Sequence, residues 1–385
     1  MTGAAGTTVA EAEVTGPDVD FDLHGIVGIR VVDARPEDVE TLTRQLGPLT
    51  APLAREPEIT IRFVDELDGP RPMTYATWPE SAGTADDFYL LRGKDGVAAR
   101  TRFPVDTIGE RCEIVCERRA GHVPHLLAVI NMTALRRGVL PLHASAFTHQ
   151  GVGVLATGWG KGGKTEALLA FAAHGARYVG DEWVYLTPDG GMHGVPEPIR
   201  LWNWHIDQMP GLRARLPVTT RARLRSLPAV ASSAAGLSTR LGGLPASVLR
   251  RTAPVLRRQA YVQVPPARIF GADALALHGR VDHVLFVLSH DHDEVSIEPV
   301  TGAAVAAHML ASLEEERTPL LAVYRQFRFL FPERRCAVID EAREIERSLL
   351  QRYLGDRPCH VLRHPYPVDL RSLVGPVETA LGERP

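Results

Sequence analysis

Lysine is scarce in this chain, cysteine is rare, and long apolar runs are missing; each shortage excludes something. Of 43 basic residues only Lys94, Lys161 and Lys164 are lysine, the rest being arginine. Four cysteines in 385 residues cannot form the disulfide framework of a small secreted domain. Cys112 and Cys116 lie four apart near an expected strand and read as two buried thiols on one face, while Cys336 and Cys359 have no spacing of note. With no run of about 18 apolar residues, no membrane-spanning helix is expected. A formal net charge of −3 gives no pull toward nucleic acid or an anionic membrane. The opening MTGAAGTTVAEAEVTGPD is small, polar and acidic, unlike a basic targeting segment, so a disordered tail over 1–20 and a reducing, cytoplasmic location are expected.

What is present is more telling. Residues 158–165 read Gly158-Trp159-Gly160-Lys161-Gly162-Gly163-Lys164-Thr165, a full G-x-x-x-x-G-K-[ST] phosphate-binding loop that takes two of the three lysines. Glycines let backbone N–H groups curl around a polyphosphate, Lys164 can reach the outer phosphates, and the Thr165 hydroxyl can face Mg²⁺. An apolar strand over 152–157 and a helix over 165–173 flank the loop. Phosphates would then sit at a helix N-terminus, where free N–H groups and the dipole favour anions.

The remaining pattern predicts α/β organisation. Strands are expected over 24–34 and 58–65, with a helix over 36–46 that opens on Pro and acids. Short strands follow near 87–91 and 113–118, then a helix over 124–137. These make an N-terminal α/β segment, 21–122, with no catalytic constellation, read as a recognition module or scaffold. The catalytic domain is expected over 123–385. Within it come a strand at 177–180 and another at 183–186, a Pro/Gly-rich turn region at 188–198, strands near 284–288 and 295–300, helices over 302–315 and 320–331, and a last strand and helix from 359 to 381. Residues 208–272 contain eleven arginines and no acid, and read as a basic insertion or lid. The polar stretch 290–294, although rich in His and Asp, reads as a solvated turn.

A phosphate loop alone implies nucleotide binding; transfer chemistry needs acids beside it. Asp181 and Glu182 follow an expected strand about sixteen residues after the loop, which positions them to face a bound triphosphate. Carboxylates are the usual protein ligands for Mg²⁺ next to phosphates, and one of the pair could take a proton from a substrate hydroxyl. His143 lies just before the strand that feeds the loop and, taken alone, reads as a structural histidine.

The run LHASAF…GVGVLATGWGKGGKTEALLAFAAHGARYVGDEWVYL resembles the HPr kinase/phosphorylase family and its shorter serine-kinase relatives, including those of lasso-peptide and other ribosomal-peptide biosynthesis. The likeness covers about 138–385. It consists, in order, of His143, the loop followed at once by Glu166, the His174-Gly175 turn, the acidic pair Asp181-Glu182, the segment Pro198-Ile199-Arg200-Leu201-Trp202, and the C-terminal HVLRHPYPVDLRSLVGPVETAL. It implies a phosphate-loop strand–helix core of the HPr kinase C-terminal, phosphoenolpyruvate-carboxykinase-like type. It further implies Asp181 as base toward the acceptor hydroxyl, supported by His143. Thr165, Glu166 and Glu182 would hold Mg²⁺, Lys164 would neutralise the outer phosphates, and Arg200 would clamp the transferring group. Arg257 or Arg258 would match a further basic position. The chain departs from the family in its Asp-Glu rather than Asp-Asp pair, in the Trp159-Gly160-Lys161-Gly162 stretch of the loop, and in lacking the recognisable phosphorolysis signature.

The resulting expectation is an ATP- and Mg²⁺-dependent kinase acting on a Ser or Thr hydroxyl of a peptide or small protein, with no membrane or nucleic-acid partner and homo-oligomerisation left open. The alternatives are a nucleotide-gated binding module without phosphoryl transfer, and a small-molecule (amino acid) kinase.

Overall fold

The computed structural model describes residues 16–67, 72–226 and 261–382. The chain is α/β and divides into two units. The first comprises residues 1–45, 49–133 and 322–337, the second 46–48, 134–321 and 338–385. Residues 322–337, expected within the catalytic domain, thus cluster with the N-terminal unit, and the main division falls after Thr133.

The first unit is built on one sheet. Its strands are β1 (Val19–Leu23), β2 (Val27–Val32), β3 (Ile59–Val64), β4 (Thr74–Thr77), β5 (Ser81–Gly83), β6 (Phe88–Arg92), β7 (Ala98–Arg102) and β8 (Cys112–Glu117), in the order β1-β2-β3-β8-β7-β6-β5-β4. β1 begins inside the expected tail. Its sequence, Val-Asp-Phe-Asp-Leu, alternates at period two, and Phe21 and Leu23 bury while the acids between them do not. The expected strand over 24–34 shortens to β2, because β1 and β2 form an antiparallel pair whose turn occupies residues 24–26. Cys112 and Cys116 share one face of β8 as buried free thiols, and burial pushes them up to about 12 and about 11.

The second unit has a larger mixed sheet. Its strands are β9 (Leu140–His149), β10 (Val152–Thr157), β11 (Arg177–Gly180), β12 (Trp183–Leu186), β13 (Gly191–Gly194), β16 (His278–Arg280), β17 (His283–His290), β18 (Ser296–Val300) and β19 (Cys359–Pro365). The order is β16-β13-β12-β9-β10-β17-β19-β18, with β11 also paired to β9. The region over 188–198, expected as turn only, contains β13, which pairs with β12. A separate two-stranded ribbon joins β14 (Ile199–Trp202) to β15 (Tyr261–Val264).

β10, β17 and β19 run parallel. All three are buried along most of their length, which explains why they read as continuous apolar runs rather than alternating ones. The helix Lys164–Ala172 leaves the end of β10 through the glycine-rich loop 158–163 and packs against the helix Leu370–Gly382. A core of Phe147, Val154, Leu168, Phe171, Leu285 and Leu373 fills the space beneath it.

Two further expectations change. The helices over 302–315 and 320–331 are one helix, Gly302–Leu330, with Pro319 inside it. Pro319 is exposed, so the backbone acceptor that its missing N–H leaves open is on the side that water can reach. The described flanks of the basic stretch are not a loose lid. Leu212, Leu216 and Leu224 join the core, and β15 completes the ribbon with β14. Residues 227–260, with Arg257 and Arg258, lie outside the described residues. Among the described residues no helix is long and apolar enough to cross a membrane.

Candidate functional site

The loop is shaped by where side chains are forbidden. Gly158 has φ 155°, and a Cβ there would lie 2.5 Å from the carbonyl oxygen of Val287 on β17. Gly163 has φ 108°, and a Cβ would lie 1.9 Å from His364 Nε2. His364, fully buried on β19, sits against the loop with Nε2 3.1 Å from the Gly162 carbonyl oxygen. Gly160 faces open space, and Lys161 (φ 65°) and Trp159 are exposed at the tip. The Gly162 N–H donates to the Trp159 carbonyl and closes the turn.

Lys164 folds back over this turn. Its Nζ donates to the carbonyls of Trp159 (2.9 Å) and Gly158 (3.3 Å), and burial lowers its pKa. The Ser145 hydroxyl of β9 donates to the Lys164 carbonyl at 2.6 Å, tying the first residue of the helix to the neighbouring strand.

β9 also supports the acids. It pairs with β11 up to Gly180↔Ala146 and with β12 from Trp183↔His143, so residues 181 and 182 bridge two strands on the same neighbour. Glu182 takes φ 66° there, and its carbonyl accepts the Ala144 N–H. That kink turns both acid side chains toward the loop helix and His143. The Thr165 hydroxyl lies 3.2 Å from each carboxylate oxygen of Asp181. Burial, reinforced by the charge of Glu182, pushes Asp181 up to about 7. Glu182 moves the other way: the His143 ring holds it below the usual carboxylate range, and Arg200 adds to the effect.

His143 is clasped by two carboxylates, Glu182 Oε2 at 3.1 Å from Nε2 and Glu316 Oε1 at Nδ1, and its ring stacks on Trp183. Burial alone would disfavour the charged ring, but the hydrogen bonds to Glu182 and Glu316 outweigh it and raise its pKa.

Most of the expected residues converge. Gly158, Gly160, Lys161, Gly162, Gly163, Lys164 and Thr165 form the loop; Asp181, Glu182 and His143 lie beside it. Arg200 is exposed on β14, 5.9 Å from the Tyr261 ring centre, with its charge felt by Glu182. Glu166 has a different setting from the one expected. It is buried, and its Oε1 meets His205 Nε2 at 3.1 Å; burial would raise its pKa, but this contact outweighs that and lowers it. The partner of His205 Nδ1 is the Trp202 backbone N–H, so the Glu166–His205 pair joins the loop helix to the end of β14.

Four residues of this region escaped the sequence reading: Glu197, Glu316, His205 and His364. None belongs to the loop motif, and all arrive from elsewhere in the chain. Glu197 stands out. Gly194 lies against Gly180, and the Tyr178 hydroxyl donates to the Val195 carbonyl, so the segment leading to Glu197 runs beside the acid pair. Its Oε1 is buried without a hydrogen-bond partner among the described residues. Burial, then the charges of Glu182 and Asp181, pushes it up to about 8.

The residues present fit a nucleotide triphosphate and Mg²⁺. The loop offers a cradle lined by backbone and an ammonium resting on its own carbonyls. Thr165, Asp181, Glu182 and the unpartnered Glu197 oxygen supply hard oxygen donors. No group of three or more potential metal ligands is pre-assembled among the described residues. No protein-family model matches the chain, and no curated protein matches it either.

Proposed function

We propose that the protein is an ATP- and Mg²⁺-dependent kinase that transfers the γ-phosphoryl group to a Ser or Thr hydroxyl of a peptide or small protein, on a phosphate-loop core of the HPr-kinase-like type. The observation that supports this reading is the contact between the Thr165 hydroxyl and the buried Asp181 carboxylate, which burial pushes up to about 7, beside the glycine-rich loop.

In this reading the loop N–H groups and Lys164 hold the phosphates. Thr165 and the acids Glu182 and Glu197 are available to Mg²⁺, which neutralises phosphate charge when bound. Asp181 orients the acceptor hydroxyl and takes its proton. His143, whose protonated form is favoured by its hydrogen bonds to Glu182 and Glu316, would offset the negative charge gathered by the acids. Arg200, exposed and with its charge felt by Glu182, would meet the transferring group. Glu166 acts through structure, locking the loop helix to β14 by way of His205.

Mass spectrometry of the protein incubated with ATP, Mg²⁺ and peptides encoded beside its gene tests the proposal. One added phosphate on a Ser or Thr, absent with Asp181→Asn while ATP still binds, is the expected result. ATP binding with no transfer to any acceptor would overturn kinase activity and favour a nucleotide-gated binding module. A phosphorylated free amino acid would instead mark a small-molecule kinase.

A further inference from the structure

The first unit contains a groove of about 350 Å³ that the chemistry above does not use. Its lining includes Tyr75, Trp78, Leu91, Arg92, Arg100 and Arg119, from β4, β6, β7 and the turns beside them. The two aromatic rings meet edge to face with centres 4.9 Å apart, yet Trp78 is 70% and Tyr75 51% exposed. A pair of large rings open to water is the kind of surface that marks an interaction site. Apart from the Tyr75 hydroxyl, the side-chain nitrogen and oxygen atoms of the lining are all donors: three guanidiniums and the Trp78 indole N–H.

Two of the guanidiniums are held in place without being neutralised. Arg92 donates from Nη1 to the Gly96 carbonyl at 2.8 Å, and Arg100 from Nη1 to the Leu67 carbonyl at 3.0 Å. Among the described residues neither has a carboxylate partner. Arg119 differs, because it pairs with Glu117, a fully buried carboxylate that also accepts the backbone N–H groups of Arg100 and Leu67. No acid lines the groove among the described residues, so it is locally positive in a chain whose formal net charge is −3. Its wall also includes a sheet edge. β4, which carries Tyr75, is the last strand of its sheet, and among the described residues no strand pairs with its outer side. Such an edge offers N–H and C=O groups to another extended chain.

We infer that this groove docks an extended acidic segment of the acceptor peptide, with carboxylates against Arg92 and Arg100 and an aromatic side chain against Trp78. The donor-rich lining selects an anion. The exposed rings select one with an apolar part, which a free phosphate or small dicarboxylate lacks. The open strand edge favours a polypeptide over a nucleic acid. The inference rests on the acceptor being a peptide, as proposed above, but not on the residues that transfer phosphate.

The test is fluorescence anisotropy, without nucleotide, using a short fluorescein-labelled peptide in which Glu alternates with Thr around one Phe. Its counterpart with Gln for Glu and a labelled oligothymidylate serve as comparisons. Wild type is expected to bind the acidic peptide at least tenfold more tightly than either. Trp78→Ala should lose about tenfold in affinity. Arg92→Gln should lose about threefold and weaken the salt dependence. Both side chains are on the groove surface, so the unfolding temperature should stay at the wild-type value. Lys164→Ala should bind the peptide as wild type does, which separates the groove from the phosphate loop. Equal binding of the acidic and Gln peptides, tighter binding of the oligonucleotide, or full affinity in Trp78→Ala would overturn the inference. Loss of peptide binding in Lys164→Ala would do the same by placing the probe on the loop. Because no ATP is present, these outcomes are distinct from a failure of phosphoryl transfer.

Discussion

At the scale of single residues, the site depends on carboxyl groups pushed in opposite directions by their neighbours. Asp181 and Glu182 are adjacent, yet Asp181 rises to about 7 while Glu182 falls. Burial and mutual repulsion decide the first; the His143 hydrogen bond decides the second. If Asp181 is the base, it must be ionised to act. The free enzyme's kcat/KM is then expected to climb as pH passes upward through about 7 and to level off above it. A pH–rate profile flat between about 6 and 8.5 would remove Asp181 from that role. The Glu182–His143–Glu316 chain could not have been read from spacing, since Glu316 lies 173 residues from His143 and comes from the middle of a long helix.

At the scale of elements, the strand–loop–helix unit was legible because its signals are local. An apolar strand, a glycine-rich turn and a run of strong helix formers lie end to end in the sequence. What the motif does not reveal is the reason for each glycine. Gly163 is needed both for its backbone angle and because His364 from β19 occupies the space where a Cβ would go. Gly163→Ala is therefore expected to cost about 1–3 kcal/mol of stability through strain and overpacking. It should also weaken nucleotide binding at least tenfold, measured by calorimetry alongside thermal unfolding. Near-wild-type values of both would mean that the loop relaxes freely. The helix Gly302–Leu330 shows the converse limit. The break expected between 315 and 320 does not occur, and the helix runs on through Pro319.

For the molecule as a whole, buried carboxyls set how stability responds to pH. Asp181 and Glu346 are raised to about 7 and Glu197 to about 8, in each case chiefly by burial, and for Glu346 in spite of its pairing with Arg317. Their folded pKa values exceed their unfolded ones, so the folded state binds more protons in between. Their contribution is fully present below the ordinary carboxylate range and is lost as pH rises through about 7 to 8. The raised pKa of His143 acts in the same sense. The unfolding temperature is expected to fall between pH 6 and pH 9. Glu197→Gln should flatten that slope and raise the midpoint at pH 8.5 by about 3–5 °C. A slope unchanged in Glu197→Gln, read by calorimetry or circular dichroism, would mean that Glu197 is hydrated or paired in solution.

The sequence by itself determined the α/β class, the strand–glycine-rich loop–helix unit with Lys164 and Thr165, and the acidic pair that follows it, because each is a short-range pattern whose spacing carries its own geometry. Only the tertiary structure decided which distant groups attend them. Glu316 reaches His143, His364 supports the loop from below, His205 takes Glu166, and Glu197 is left buried with an unpartnered oxygen. The physical reason is that these contacts are made by strands and helices far apart in the chain. They are chosen by strand order in the sheet and by packing against the core, and neither leaves a mark in local spacing.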